Sequence, residues 1–190
     1  MAKPWVLLVL VVCACGTYST LRPADTLARH EIELTGGVAA NSLGEVNPVG
    51  QVALGVVDRI ELVGQYELSS ALGLLRFGLL TSLRHGLALA VGLGGGTAYV
   101  AANDLNQYRP AAIGELTLGH RLGRTDFYAG ARFFLLFPDY AVLSTRAGIR
   151  LPLGAKLRLI LEGGAATHFD AGWGVAQTLA EGTAGLALSF

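Results

Sequence analysis

His168 stands two residues before Asp170, and Ser69, Ser70 and Ser144 fall at a similar height in the strand pattern, types that could carry Ser-His-acid acyl transfer. Glu162 and Glu181 are a second candidate, because two carboxylates brought together can divide acid and base roles. Gly92-Leu93-Gly94-Gly95-Gly96-Thr97 approaches a phosphate-cradling loop. Position 97 holds Thr where Gly-x-Gly-x-x-Gly needs its last glycine, however, and no helix follows. His30, His85 and His120 fall near strand ends at the opposite rim, and with Cys13 and Cys15 they give no metal-ligand spacing. The expectation is a non-enzymatic protein without metal or cofactor.

The charges are better ordered than the candidate catalysts. In Lys156-Leu157-Arg158-Leu159-Ile160-Leu161-Glu162, the leucines face one way and the charges the other. A strand repeats its side-chain direction every two residues, so the segment has an apolar and a polar face. Ile32 and Leu34 against Glu31 and Glu33, Ile60 and Leu62 against Glu61, and Ala147, Ile149 and Leu151 against Arg146 and Arg150 follow suit. Only 15% of the 190 residues are charged, 52% are hydrophobic and 26 are glycine. Mean hydropathy is +0.50. A soluble domain carries about 25% charge, so this surface is not mostly wet. The balance of 14 basic and 14 acidic residues argues against nucleic acid as a partner.

Apolar alternation broken by turn residues every ~10 positions describes an all-β, transmembrane, antiparallel up-and-down β-barrel. About ten strands fit, with eight possible. They are drawn near 30–40, 49–57, 60–68, 74–83, 87–100, 109–121, 127–137, 141–151, 156–168 and 175–190. Short turns alternate with longer connections, the pattern of periplasmic turns and outside loops.

Hairpin geometry then pairs charges on the polar, lumen-facing side. Glu67 is expected opposite Arg76, and Glu115 opposite Arg132. Arg146 follows beside Arg132, Glu162 beside Arg146, and Glu181 beside Glu162. Arg150, Lys156 and Arg158 line one wall below this row, with Glu31, Glu33 and Glu61 on the other. Buried charges in a narrow lumen need partners, so a structural salt-bridge network is expected. A narrow channel with opposed acidic and basic walls is the alternative.

Both chain ends carry signals. Lys3 and the apolar run Trp5–Val12 fit a signal peptide over residues 1–14, too short to span a bilayer. Val12-Cys13-Ala14-Cys15 resembles a bacterial lipobox. That resemblance implies lipoprotein processing, cleavage before Cys15 and a diacylglycerol and acyl anchor on it. Residues 15–29 then read as a lipidated periplasmic tether, and 30–190 as the barrel. Ala184, Leu186, Leu188 and Phe190 resemble the C-terminal assembly signal of bacterial outer-membrane proteins, which implies the barrel-assembly machinery as a partner. Together these resemblances imply an outer-membrane lipoprotein surrounded by lipid, with both termini periplasmic. Its expected role is structural or loop-displaying, with a porin-like channel or a rim lipid-modifying enzyme as alternatives.

Overall fold

A computed structural model describes residues 19–67, 70–80, 86–102, 105–137, 140–169 and 174–190. Ten antiparallel strands close into a barrel in chain order, with the last paired to the first. They are β1 (Ile32–Asn41), β2 (Val46–Val57), β3 (Ile60–Glu67), β4 (Ser70–Leu80), β5 (Leu87–Ala102), β6 (Leu105–Leu122), β7 (Thr125–Leu136), β8 (Tyr140–Pro152), β9 (Leu157–Phe169) and β10 (Val175–Ser189). The terminal end of the barrel carries the start of β1 and Phe190. The opposite, loop end carries the connections at 42–45, 68–69, 103–104, 137–139 and 170–174.

The alternation read from sequence is inside out relative to a soluble barrel. Leu34, Val52, Leu62, Leu93, Leu118 and Leu186 are exposed, whereas Glu33, Glu61, Arg76, Arg132 and Arg146 are buried. A lipid exterior makes that arrangement favourable, because the outward apolar side chains are then kept from water, and the closed sheet leaves no unpaired strand edge facing the lipid.

Three features depart from the sequence reading. The loop-end connections are short, and length is instead carried by β5 and β6, with 16 and 18 residues. β4 begins at Ser70 rather than near 74, because Gly73, read as loop, pairs with Gly64 and Gly95. Most consequentially, the expected periplasmic tether is not one in its described part. Leu21, Arg22 and Ala24 are fully buried. Residues 19–27 lie within the lumen, where the inward carboxylates offer them hydrogen bonds.

The wall is relieved of side chains where this segment passes. A Cβ on Gly55 would stand 1.9 Å from the Ala28 carbonyl oxygen, and one on Gly119 2.9 Å from the Ala24 Cβ. At the seam, the Phe190 N–H donates to the Ile32 carbonyl at 2.8 Å. Deleting Phe190 removes this closing bond together with the terminal aromatic residue. The expected outcome is a reduced yield of folded barrel, read as the heat-modifiable band on a gel; an unchanged yield would exclude an assembly role for it.

Candidate functional site: the charged lumen and its inserted segment

One alternating chain of ions organises the lower lumen. Arg150 pairs with Glu33, Glu33 with Arg22, Arg22 with Glu61, Glu61 with Arg76, Arg76 with Glu115, and Glu115 with Arg132. Each carboxylate in it touches two guanidinium groups, which offsets the several kcal/mol of desolvation that each buried ion costs. Strand parity supplies the wall members, since Glu33, Glu61, Arg76, Glu115, Arg132 and Arg150 all occupy inward positions of their strands. Arg22 comes from the inserted segment and joins the β1 wall to the β3 wall.

The remaining lone pairs and donors are used by the same segment. Glu162 accepts from the Thr20 hydroxyl at 2.6 Å, the Leu21 N–H at 2.6 Å and the Tyr128 hydroxyl at 2.8 Å. Glu67 accepts from the Ser19 hydroxyl at 2.9 Å and from Gln65 Nε2 at 2.7 Å. The Ser19 carbonyl accepts from Gln65 at 2.8 Å and Arg132 at 3.0 Å, and the Pro23 carbonyl from Arg76 at 3.0 Å. Leu27 donates its N–H to Glu61 at 3.0 Å. At the terminal rim, Arg121 holds Asp25 at 3.3 Å and Asp126 at 2.5 Å. A ten-stranded barrel is narrow enough for such side chains to reach a central segment from every side.

Glu115 and Arg132 stand directly opposite, where the sequence reading puts them. Glu67 does not face Arg76: it pairs with Ser70, and Arg76 with Glu61, because β3 runs to Glu67 and β4 begins at Ser70. Arg132 faces Ser144, Arg146 faces Gly164, and Glu181 faces Gly164 from the other side, each pairing two residues away from the one expected. Arg146 consequently pairs with Glu181 rather than Glu162. Lys156 is not a lumen residue, and Arg158, though on the inward face of β9 with Ile160 and Glu162, lies at the rim, 3.9 Å from Asp126. Lys156 is exposed in the 153–156 turn, 6.0 Å above the Phe190 ring, and Arg158 donates to the Arg124 carbonyl at the rim. Cys15 lies outside the described residues.

The sequence reading missed Arg22, Ser19, Thr20, Gln65, Tyr128 and Gln51, whose Nε2 donates to the Thr20 carbonyl at 3.0 Å. The available signal was an excess of inward carboxylates on β1 and β3 without matching cations on those strands.

His168 Nδ1 is 2.6 Å from the Tyr140 hydroxyl. Ser70 and Ser144 are buried lumen residues, and Ser69 and Asp170 lie outside the described residues. Among the described residues, no group of three or more His, Cys, Asp or Glu could hold a metal ion.

An apolar exterior around a charged, hydrogen-bonded interior defines a transmembrane β-barrel of the outer-membrane kind. Solved structures similar to it include the loop L8 deletion mutant of OmpT, an outer-membrane protein of Vibrio cholerae, at 8% identity and TM-score 0.38. The match covers 84% of this chain and 98% of that one. In-vitro folded OmpT from the same organism matches at 10% identity and TM-score 0.31, over 84% of this chain and 96% of that one. No family model and no curated protein sequence matches the chain.

Proposed function

We propose that this is a non-enzymatic envelope protein, a small outer-membrane barrel stopped by its own chain, with a structural or loop-displaying role. The observation that carries the reading is the seating of Ser19–Leu27, whose backbone and side chains engage Glu61, Glu67, Glu162, Gln65, Arg76 and Arg132. A solute pathway needs weakly held water along the axis, and here the axis is occupied by polypeptide hydrogen-bonded to the wall. In this reading the loop end faces outward and Phe190 lies at the periplasmic rim, in reach of the barrel-assembly machinery. A signal peptide over residues 1–14 and an acyl anchor on Cys15 complete it, with outer-membrane lipids packed against the apolar belt.

The test is conductance in a planar bilayer, using refolded protein whose insertion is shown independently. The expected result is silence at moderate voltage. Discrete unitary steps with reproducible ion selectivity would overturn the stopped-barrel reading in favour of a channel.

A further inference from the structure

Side-chain charge is unevenly spread around the terminal rim. On the β1–β4 side the described residues balance, Arg29 and Arg59 standing against Glu31 and Asp58. On the β6–β9 side four cations, Arg121, Arg124, Lys156 and Arg158, meet two carboxylates, Asp25 and Asp126. Both carboxylates lie against Arg121 and Arg158. The excess is therefore carried by Arg124 and Lys156, which are exposed in the turns at 123–124 and 153–156.

The two turns are tied together. The Arg124 guanidinium donates to the Gly154 carbonyl at 3.1 Å, and Arg158 donates to the Arg124 carbonyl at 3.3 Å. Lys156 reaches over the outward ring of Phe190, 6.0 Å from its centroid. A guanidinium has five N–H donors and an ammonium three, so these contacts leave most of both cations' donors for a further acceptor.

Apolar surface begins directly beside them. Leu122, Leu153 and Phe190 are each more than half exposed around the same turns. Phe127 and Ala129 follow on the outer face of β7, three and five positions beyond Arg124. Ala129 pairs directly with Leu118 on one side and Ala147 on the other. The two short alanines floor a groove of about 410 Å³ in the outer wall, with Leu87, Leu118 and Phe127 along it. Five strand positions span about 17 Å, and the hydrocarbon of one leaflet is about 15 Å deep. The groove thus lies within one acyl chain's reach of the cations.

We propose that this sector of the rim binds an anionic glycerophospholipid, its phosphate between Arg124 and Lys156 and one acyl chain in the β6–β8 groove. Arg158 adds its field from behind the Arg124 backbone. Charge complementarity selects the headgroup, since each basic side chain near a membrane surface favours an anionic lipid by about fivefold. The groove selects a ligand that carries a chain, because apolar surface there is covered only by hydrocarbon. With the terminal end periplasmic, as proposed above, the lipid belongs to the inner leaflet; the binding itself depends neither on that orientation nor on whether the barrel conducts.

The test is native mass spectrometry of the refolded full-length protein in detergent with equal amounts of phosphatidylglycerol and phosphatidylcholine. It reads the ratio of the two one-lipid complexes. Phosphatidylglycerol is expected to exceed phosphatidylcholine by at least about fivefold. Arg124→Gln with Lys156→Gln should bring the ratio close to one, whereas Arg59→Gln, on the balanced side, should leave it unchanged. Ala129→Leu, which fills the groove, should deplete both complexes. Glycerol 3-phosphate, a headgroup without chains, should displace neither lipid. Heat-modifiable mobility confirms that each variant is folded. A parent ratio near one, a ratio that survives the double substitution, or an equal loss in Arg59→Gln would overturn the site. Displacement by glycerol 3-phosphate, or unchanged complexes in Ala129→Leu, would overturn the lipid as its occupant. Conductance of the parent bears on the stopped-barrel reading alone and leaves these ratios untouched.

Discussion

Arg22→Ala is expected to destabilise the folded barrel by about 3–5 kcal/mol, the usual cost of removing one partner from a buried ion pair. Arg22 is fully buried between Glu33 and Glu61 and is the cation that the inserted segment contributes to the alternating chain. Without it, Glu33 retains Arg150 and Glu61 retains Arg76, but two carboxylates then face a void with their remaining lone pairs unmatched. Water entering that void relieves the charge and at the same time unseats the segment, so the variant should conduct where the parent does not. Arg22→Lys should fall between them, because an ammonium on a flexible stem cannot reproduce a planar fork shared between two carboxylates. Urea unfolding of the reconstituted protein reads the first effect and bilayer conductance the second. A loss below about 1 kcal/mol, in the range of an exposed pair, together with continued silence, would mean that Arg22 does not hold the segment.

How much of this was legible in the sequence depends on which physical signal each part leaves. Strand period and face survive almost any error in turn placement that is even in number, since a slip of two residues keeps every side chain on its side. Arg146, Glu162 and Glu181 therefore reach the lumen as read, with their cross-strand partners displaced. Glu115 and Arg132 are assigned correctly because Gly123 and Arg124 make a tight two-residue turn, Gly123 at φ +62°, and tight turns fix register. The β3–β4 connection is different. Gly73 lies on the outer face, where a Cβ would meet nothing nearer than the Gly95 carbonyl oxygen at 4.0 Å, and nothing in the sequence separates it from a loop glycine. Pairing Glu67 with Ser70 carries Arg76 from Glu67 to Glu61.

The inserted segment leaves no periodic signal. Ser19-Thr20-Leu21-Arg22-Pro23-Ala24-Asp25 contains a proline and no alternation, so it reads as a solvated linker. Its structure is dictated by what surrounds it. Carboxylates at 33, 61, 67 and 162 point into the lumen, and a segment carrying N–H groups, hydroxyls and one guanidinium is what satisfies them. The need was readable from charge placement, whereas the identity of the segment meeting it was not.

Charge exchange across the one correctly read pair gives the sharpest test of the network. Arg132→Glu sets two buried carboxylates directly opposite each other and removes the donors held by the Ser19 carbonyl and Gln65. Its expected cost is at least the 3–5 kcal/mol of a broken buried pair. Were the pair isolated, adding Glu115→Arg would restore most of that loss. It is not isolated: Glu115 also binds Arg76 at 2.6 Å, so a guanidinium at position 115 would abut another. A carboxylate at 132 would meanwhile confront the Ser19 carbonyl oxygen, an acceptor facing an acceptor. The double variant is therefore expected to recover less than half of the loss, while the coupling between the two substitutions stays clearly favourable, in the range of about 0.5–3 kcal/mol for contacting residues. Converting Arg76 to Gln in the same background should raise the recovery, because it removes the new like-charge contact. Full recovery without that third change would mean that the pair acts alone, and that the alternating chain from Arg150 to Arg132 is a row of independent bridges.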